Sequence, residues 1–86
     1  PQQELMQAAF SARFQRSYDE APERVRKDFD KQLNLLLSDF RHPSLHTKKY
    51  SEAEDIWQAR VNRTWRCYFQ IKNNAYYFVD IMLHPK

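Results

Sequence analysis

Eighty-six residues make one domain, residues 1–86, near the lower limit of what folds without staples. One cysteine, Cys67, permits no intramolecular disulfide, and the absence of glycine excludes the glycine-rich phosphate loops of nucleotide-binding enzymes. The net charge of +3 is uneven: residues 1–40 hold six Lys/Arg against seven Asp/Glu and residues 41–86 eight against four, which points to a polyanionic or acidic partner of the second half.

In chain order, residues 3–7 read as a short first strand. From Ala8 to Tyr18, Phe10 and Phe14 stand four apart, the spacing of one helix face. Asp19-Glu20-Ala21-Pro22 breaks that helix, and Pro22 suits the first turn of the next. Val25, Phe29, Leu33, Leu36 and Phe40 then recur at helical spacing, predicting an amphipathic helix over 22–41 that Arg41-His42-Pro43 ends. After Pro43 the period changes. Leu45–Tyr50 reads as an edge strand, 51–55 as an acidic loop, and Ile56–Asn62, Trp65–Ile71 and Ala75–His84 as strands rich in aromatic and β-branched residues. Lys72-Asn73-Asn74 is a turn. The expected fold is α+β, two N-terminal helices packed on one face of a small antiparallel sheet. Phe10, Phe14, Val25, Phe29, Leu33, Leu36 and Phe40 are expected to pack against Trp57, Val61, Phe69, Val79 and Ile81.

Alternation assigns the faces. Trp57, Ala59 and Val61 share one side of their strand, and Gln58, Arg60 and Asn62 the other; Trp65, Cys67, Phe69 and Ile71 oppose Arg66, Tyr68 and Gln70. A three-residue turn at Asn62-Arg63-Thr64, with asparagine tolerating a positive φ, sets Arg60 opposite Arg66; a two-residue turn would put arginine among core residues. In the last strand Ala75, Tyr77, Val79, Ile81 and Leu83 form an apolar set, read as helix-facing, which leaves Asp80 and His84 on the other side. With Leu45 inward, His46 and Lys48 point outward. One sheet face therefore gathers His46, Lys48, Arg60, Arg66, Tyr68, Asp80 and His84, and the bland alternative for Arg66 beside Asp80 is a structural ion pair. Cys67, Trp57 and Trp65 read as core. Three scattered histidines and one inward cysteine match no metal-ligand spacing, so no metal and no cofactor are expected. No run is long enough to span a membrane and no charged-then-apolar leader opens the chain; with a single thiol, the expected setting is the cytoplasm.

The run Ile56-Trp-Gln-Ala-Arg60-Val-Asn-Arg-Thr-Trp-Arg66-Cys-Tyr-Phe69 resembles the RelE/ParE superfamily of bacterial toxins, and within it the RelE and YoeB branch. Leu45-His-Thr-Lys-Lys-Tyr50 and Asp80-Ile-Met-Leu-His84-Pro85 extend the resemblance, as does the order strand, two helices, then antiparallel strands. It implies a toxin of a toxin–antitoxin pair: a metal-independent, ribosome-dependent endoribonuclease that cleaves messenger RNA and is silenced by a cognate antitoxin protein. Carried over, Arg60 matches the basic residue at the heart of that site and Arg66 the strand-opening arginine. His84 matches the late catalytic histidine or its basic neighbour, and Lys48 and Lys49 the basic edge strand. Arg60, Arg66 and His84 are then the candidate catalytic residues, and His46, Lys48, Lys49 and Tyr68 the candidate RNA-binding ones. No glutamate stands where a YoeB-like general base is expected, and the tyrosine or helix that several relatives carry after the histidine has no counterpart. The same scaffold also hosts gyrase-poisoning ParE toxins and silent antitoxin-binding relatives, which remain the alternatives.

The chemistry suits these residue types. Cleaving RNA through its own 2′-OH needs a base for that hydroxyl, cations for the extra charge of the transition state, and an acid for the leaving 5′ oxygen. Arginines grip phosphate oxygens through paired hydrogen bonds, and histidine exchanges protons near neutral pH. His84 is the first choice for that proton and His46 the second.

Overall fold

The structure is a computed structural model and describes residues 6–84. Strand β1 (Gln7–Phe10) leads into helices α1 (Ala12–Glu20) and α2 (Glu23–Ser38). A 3-10 turn (Pro43–Leu45) precedes strands β2 (Lys48–Ser51), β3 (Ile56–Arg60), β4 (Trp65–Lys72) and β5 (Ala75–Leu83). The sheet order is β1-β5-β4-β3-β2: four strands form the expected antiparallel meander, and β1 adds a parallel edge beside β5. Most of the proposed first strand, 3–7, lies outside the described residues.

The first helix was expected from Ala8, but Ala8–Phe10 are strand. Phe10 and Phe14 do meet, with rings stacked at 5.2 Å, across a strand-to-helix corner rather than along one helix. Ser11 makes that corner. Its hydroxyl accepts from the Phe14 amide at 3.0 Å, capping α1, and donates to the Val79 carbonyl at 3.2 Å, fastening the cap to β5. Phe10 consequently stays 42 % exposed instead of entering the core. Helix α2 stops at Ser38, three residues before its expected end.

Phe14 from α1 and Val25, Phe29 and Leu36 from α2 pack on Ala59, Val61, Cys67, Phe69, Phe78 and Ile81 of the sheet. Phe29 and Phe78 meet edge to face at 5.3 Å, and Phe69 and Phe78 lie 5.4 Å apart. Leu33, Phe40, Trp57 and Val79 are only partly buried, and Val79 faces away from this core. Its displacement has a local cause. Tyr68 pairs with Asp80 but Phe69 pairs with Phe78, so Val79 is an extra residue, a β-bulge that reverses alternation midway along β5. Tyr76 and Phe78 face the helices before the bulge and Ile81 after it. The uninterrupted apolar set inferred for this strand is therefore corrected: Tyr77 is 48 % exposed.

The β4–β5 hairpin turns on Asn73 and Asn74, both at positive φ (49° and 63°), the two-residue turn whose twist matches the flanking strands. The β3–β4 connection is the expected three-residue turn: Arg60 pairs with Arg66, and the Val61 amide donates to the Trp65 carbonyl at 3.0 Å. Asn62 serves it by a different means from the positive φ expected. Its Oδ1 accepts from the amides of Thr64 and Trp65, each at 2.9 Å.

Candidate nucleic-acid interface

The helices cover one sheet face; the other carries Gln58, Arg60, Arg66, Tyr68 and Asp80, as strand pairing dictates. Arg60 and Arg66 are directly opposite one another. Like charges so placed repel, and the hairpin offsets this with shared carbonyl acceptors. The Asn62 carbonyl accepts from Arg66 Nη1 at 2.8 Å and from Arg60 Nε at 3.3 Å, and Arg66 Nη1 also reaches the Trp65 carbonyl at 3.0 Å. Neither guanidinium has a carboxylate partner among the described residues. Two full positive charges thus converge at one end of the open face, held by neutral groups.

His46 joins them. Its backbone is left-handed (φ 47°) just after the 3-10 turn, and its Nε2 lies 3.3 Å from Arg60 Nη1. A guanidinium only donates, so Nε2 is the acceptor in this contact. Residues 46 and 47 precede the observed β2, so the edge strand is shorter than Leu45–Tyr50. Lys48 pairs with Gln58 and is exposed beside this end. Lys49, a candidate RNA-binding residue, lies on the other face. It pairs with Trp57, and its ammonium sits 2.8 Å from Asp55 and 4.9 Å from the Trp57 ring centre. The hydrogen-bonded Asp55 carboxylate raises its pKa.

Tyr68 forms the floor of the open face at 6 % exposure. Burial raises its pKa, with neighbouring Tyr50 adding to the rise and Arg66 opposing it. His84 follows β5, exposed, its amide bonded to the Thr64 carbonyl at 2.6 Å; it sits at the β3–β4 hairpin, and no contact joins its ring to Arg60 or Arg66. Asp80 is not the partner of Arg66. Its Oδ2 takes Arg13 Nε at 3.0 Å, and its Oδ1 accepts from the Ser17 hydroxyl and the Ile81 amide, each at 2.8 Å. Arg13 and Ser17 reach it from α1, past the end of the short β1. Sequence reasoning missed both, although their spacing of four puts two polar side chains on one helix face.

Among the described residues no three His, Cys, Asp or Glu side chains are grouped to hold a metal ion, and no helix is long and apolar enough to cross a membrane. No protein-family profile matches the chain, and no curated protein sequence does. Solved structures do match. A YoeB/ParE toxin from Agrobacterium tumefaciens superposes with a TM-score of 0.78 at 8 % identity, over 93 % of this chain and 100 % of that one. The structural likeness extends to an archaeal RelE-RelB complex from Pyrococcus horikoshii (TM-score 0.78, 9 % identity, 96 % of this chain and 99 % of that one). The chain has a RelE-like fold. An E. coli DinJ-YafQ toxin-antitoxin complex shares it (TM-score 0.76, 12 % identity, 93 % of each chain). On this RelE-like scaffold the structure brings together Arg60, Arg66 and His46, keeps Lys48 and Tyr68 on the same face, and sets His84 at the adjoining hairpin.

Proposed function

We propose that this chain is the toxin of a toxin–antitoxin pair, and that its open face cleaves messenger RNA on the ribosome, in the cytoplasm, without a metal. The observation that carries this reading is the pair of carboxylate-free arginines facing each other with a histidine nitrogen 3.3 Å from one of them. Such a cluster attracts a phosphodiester and repels a metal cation. Arg60 and Arg66 exchange carbonyl contacts for the non-bridging phosphate oxygens and stabilise the charge that grows on them. As Arg60 turns to the phosphate, His46 Nε2 is released with its lone pair free to take the 2′-OH proton. The 2′ oxygen then bonds to phosphorus, the bond to the 5′ oxygen breaks, and a second proton donor, His84 in this reading, protonates the leaving oxygen. The products are a 2′,3′-cyclic phosphate and a free 5′-OH. Lys48 and Tyr68 contact the flanking strand; Lys49 faces away and contributes to the β2–β3 turn instead. The cognate antitoxin silences the toxin by covering these cations.

Primer extension on a translated message after induction tests the proposal. Wild type should cut ribosome-bound message, and Arg60→Ala should lower cutting about 10²–10³-fold while remaining folded. Intact message during full wild-type toxicity refutes the nuclease reading; DNA damage in its place indicates a gyrase poison.

A further inference from the structure

Away from the arginine pair, the open face holds a cup of about 250 Å³ lined by Arg13, Tyr50, Glu54, Tyr68, Asp80 and Met82. Three features mark it as built for a ligand. Tyr68 lines the cup at 6 % residue exposure, and its hydroxyl bonds to no described residue. Tyr50 is 61 % exposed, its ring held edge-on to Tyr68 at 4.9 Å, which leaves a flat aromatic face bare. Asp80 anchors Arg13 at Nε, 3.0 Å away, and the Arg13 side chain is still 72 % exposed, so its guanidinium is open to the cup.

We infer that this cup receives one unstacked guanine base of the RNA, an inference that rests on the nuclease reading for the identity of its polymer. Tyr50 is the stacking platform, since base–aromatic stacking is the usual means of gripping single-stranded RNA. The polar complement selects among bases. Glu54 pairs with no cation among the described residues, and its carboxylate accepts from two neighbouring N–H groups at once. Guanine alone among the RNA bases offers two adjacent donors, N1–H and the 2-amino group. It also carries O6 and N7, the pair of acceptors that a guanidinium matches, and the Arg13 Nη groups supply those donors. The Tyr68 hydroxyl, which donates and accepts, completes the edge. Uracil, with one donor between two carbonyls, leaves half the carboxylate unmatched.

The test is direct binding, independent of cleavage. The purified chain is titrated with 5′-GMP and, in parallel, 5′-UMP, followed by amide and arginine side-chain NMR shifts. GMP should move Arg13, Tyr68 and Asp80 signals and bind about tenfold or more tighter than UMP. Tyr50→Ala should weaken GMP by about tenfold or more, and Tyr68→Phe or Glu54→Gln should erase the preference for GMP while leaving the fold intact. Equal affinity for the two nucleotides, or shifts confined to the Arg60–Arg66 end, overturns the inference and leaves the nuclease reading standing. Selective GMP binding in a chain that cuts no message does the reverse.

Discussion

Asn62 links fold to site, and its removal is the sharpest test of how the arginine pair is held. Its side chain makes three good hydrogen bonds: Oδ1 to the Thr64 and Trp65 amides and Nδ2 to Asp28 Oδ2, all at 2.9 Å. Each is worth about 0.5–1.5 kcal/mol net, the charged one at the upper end, for a gross loss of about 3 kcal/mol in Asn62→Ala. Asn62 is half-buried but Arg63 and Thr64 are exposed, and water reaches the freed Thr64 amide, so about 1.5–2 kcal/mol should remain. In a domain of this size that lowers the unfolding midpoint by roughly 10 °C. The activity loss should exceed what that destabilisation explains, because the Asn62 carbonyl anchors both guanidiniums and moves with the turn. Urea unfolding combined with message cleavage measured well below the midpoint separates the two effects. Asn62→Asp together with Asp28→Asn restores the link with donor and acceptor exchanged, and should recover at least half of the lost stability. A midpoint unchanged in Asn62→Ala, or a swap that recovers nothing, refutes the account of the hairpin.

The two histidines separate by position: His46→Gln should slow cleavage by about 10²-fold or more, whereas His84→Gln, farther from the arginines, should cost less; the reverse order in single-turnover cleavage would return the primary role to His84. Burial pushes the Cys67 thiol up to about 12 from 9.0, so iodoacetamide at pH 8.5 should leave it unmodified until the chain unfolds, and mass spectrometry reads this directly. Burial likewise raises Tyr68 and Tyr76 above 10.0. Because all three groups hold their protons longer folded than unfolded, their contribution to stability is full below about pH 9 and is lost as pH climbs toward about 12; urea midpoints that stay level from about pH 9 to about 12 would contradict it.

The parts of the fold legible in sequence are those with one uninterrupted period. Helix α2 shows its core stripe because Val25, Phe29 and Leu36 recur at helical spacing and all three are buried. The β3–β4 register followed from a cost: shifting it by one residue would drive Arg60 or Arg66 among Cys67, Phe69 and Val61. Strand β5 resisted the same reasoning. Its Ala75, Tyr77 and Val79 are apolar enough to imitate a core face, and no glycine marks the bulge at Val79. Nothing local distinguishes the two registers. What decides between them is the fit of Tyr76 and Phe78 against Phe69, a contact with another strand. Phe10 and Phe14 are ambiguous for a related reason, since four residues separate two rings equally well along a helix or around a capped corner.

Alternation states which residues share a face, but not which charges satisfy one another, because that depends on elements arriving from elsewhere in the chain. Alternation sets Arg60, Arg66, Tyr68 and Asp80 on one face, yet it does not reveal that Asp80 pairs with Arg13 rather than with Arg66 beside it. The difference matters chemically. Were Asp80 paired with Arg66, the open face would hold one free arginine and a neutralised pair, a poor match for a dianionic transition state. Instead Arg13 and Ser17 come over from α1 and occupy both carboxylate oxygens, and the hairpin holds Arg60 and Arg66 through carbonyls that a phosphate can displace. The first helix, none of whose residues is among the candidate site residues, is thus what keeps the positive charge of the second half of the chain available to an anion.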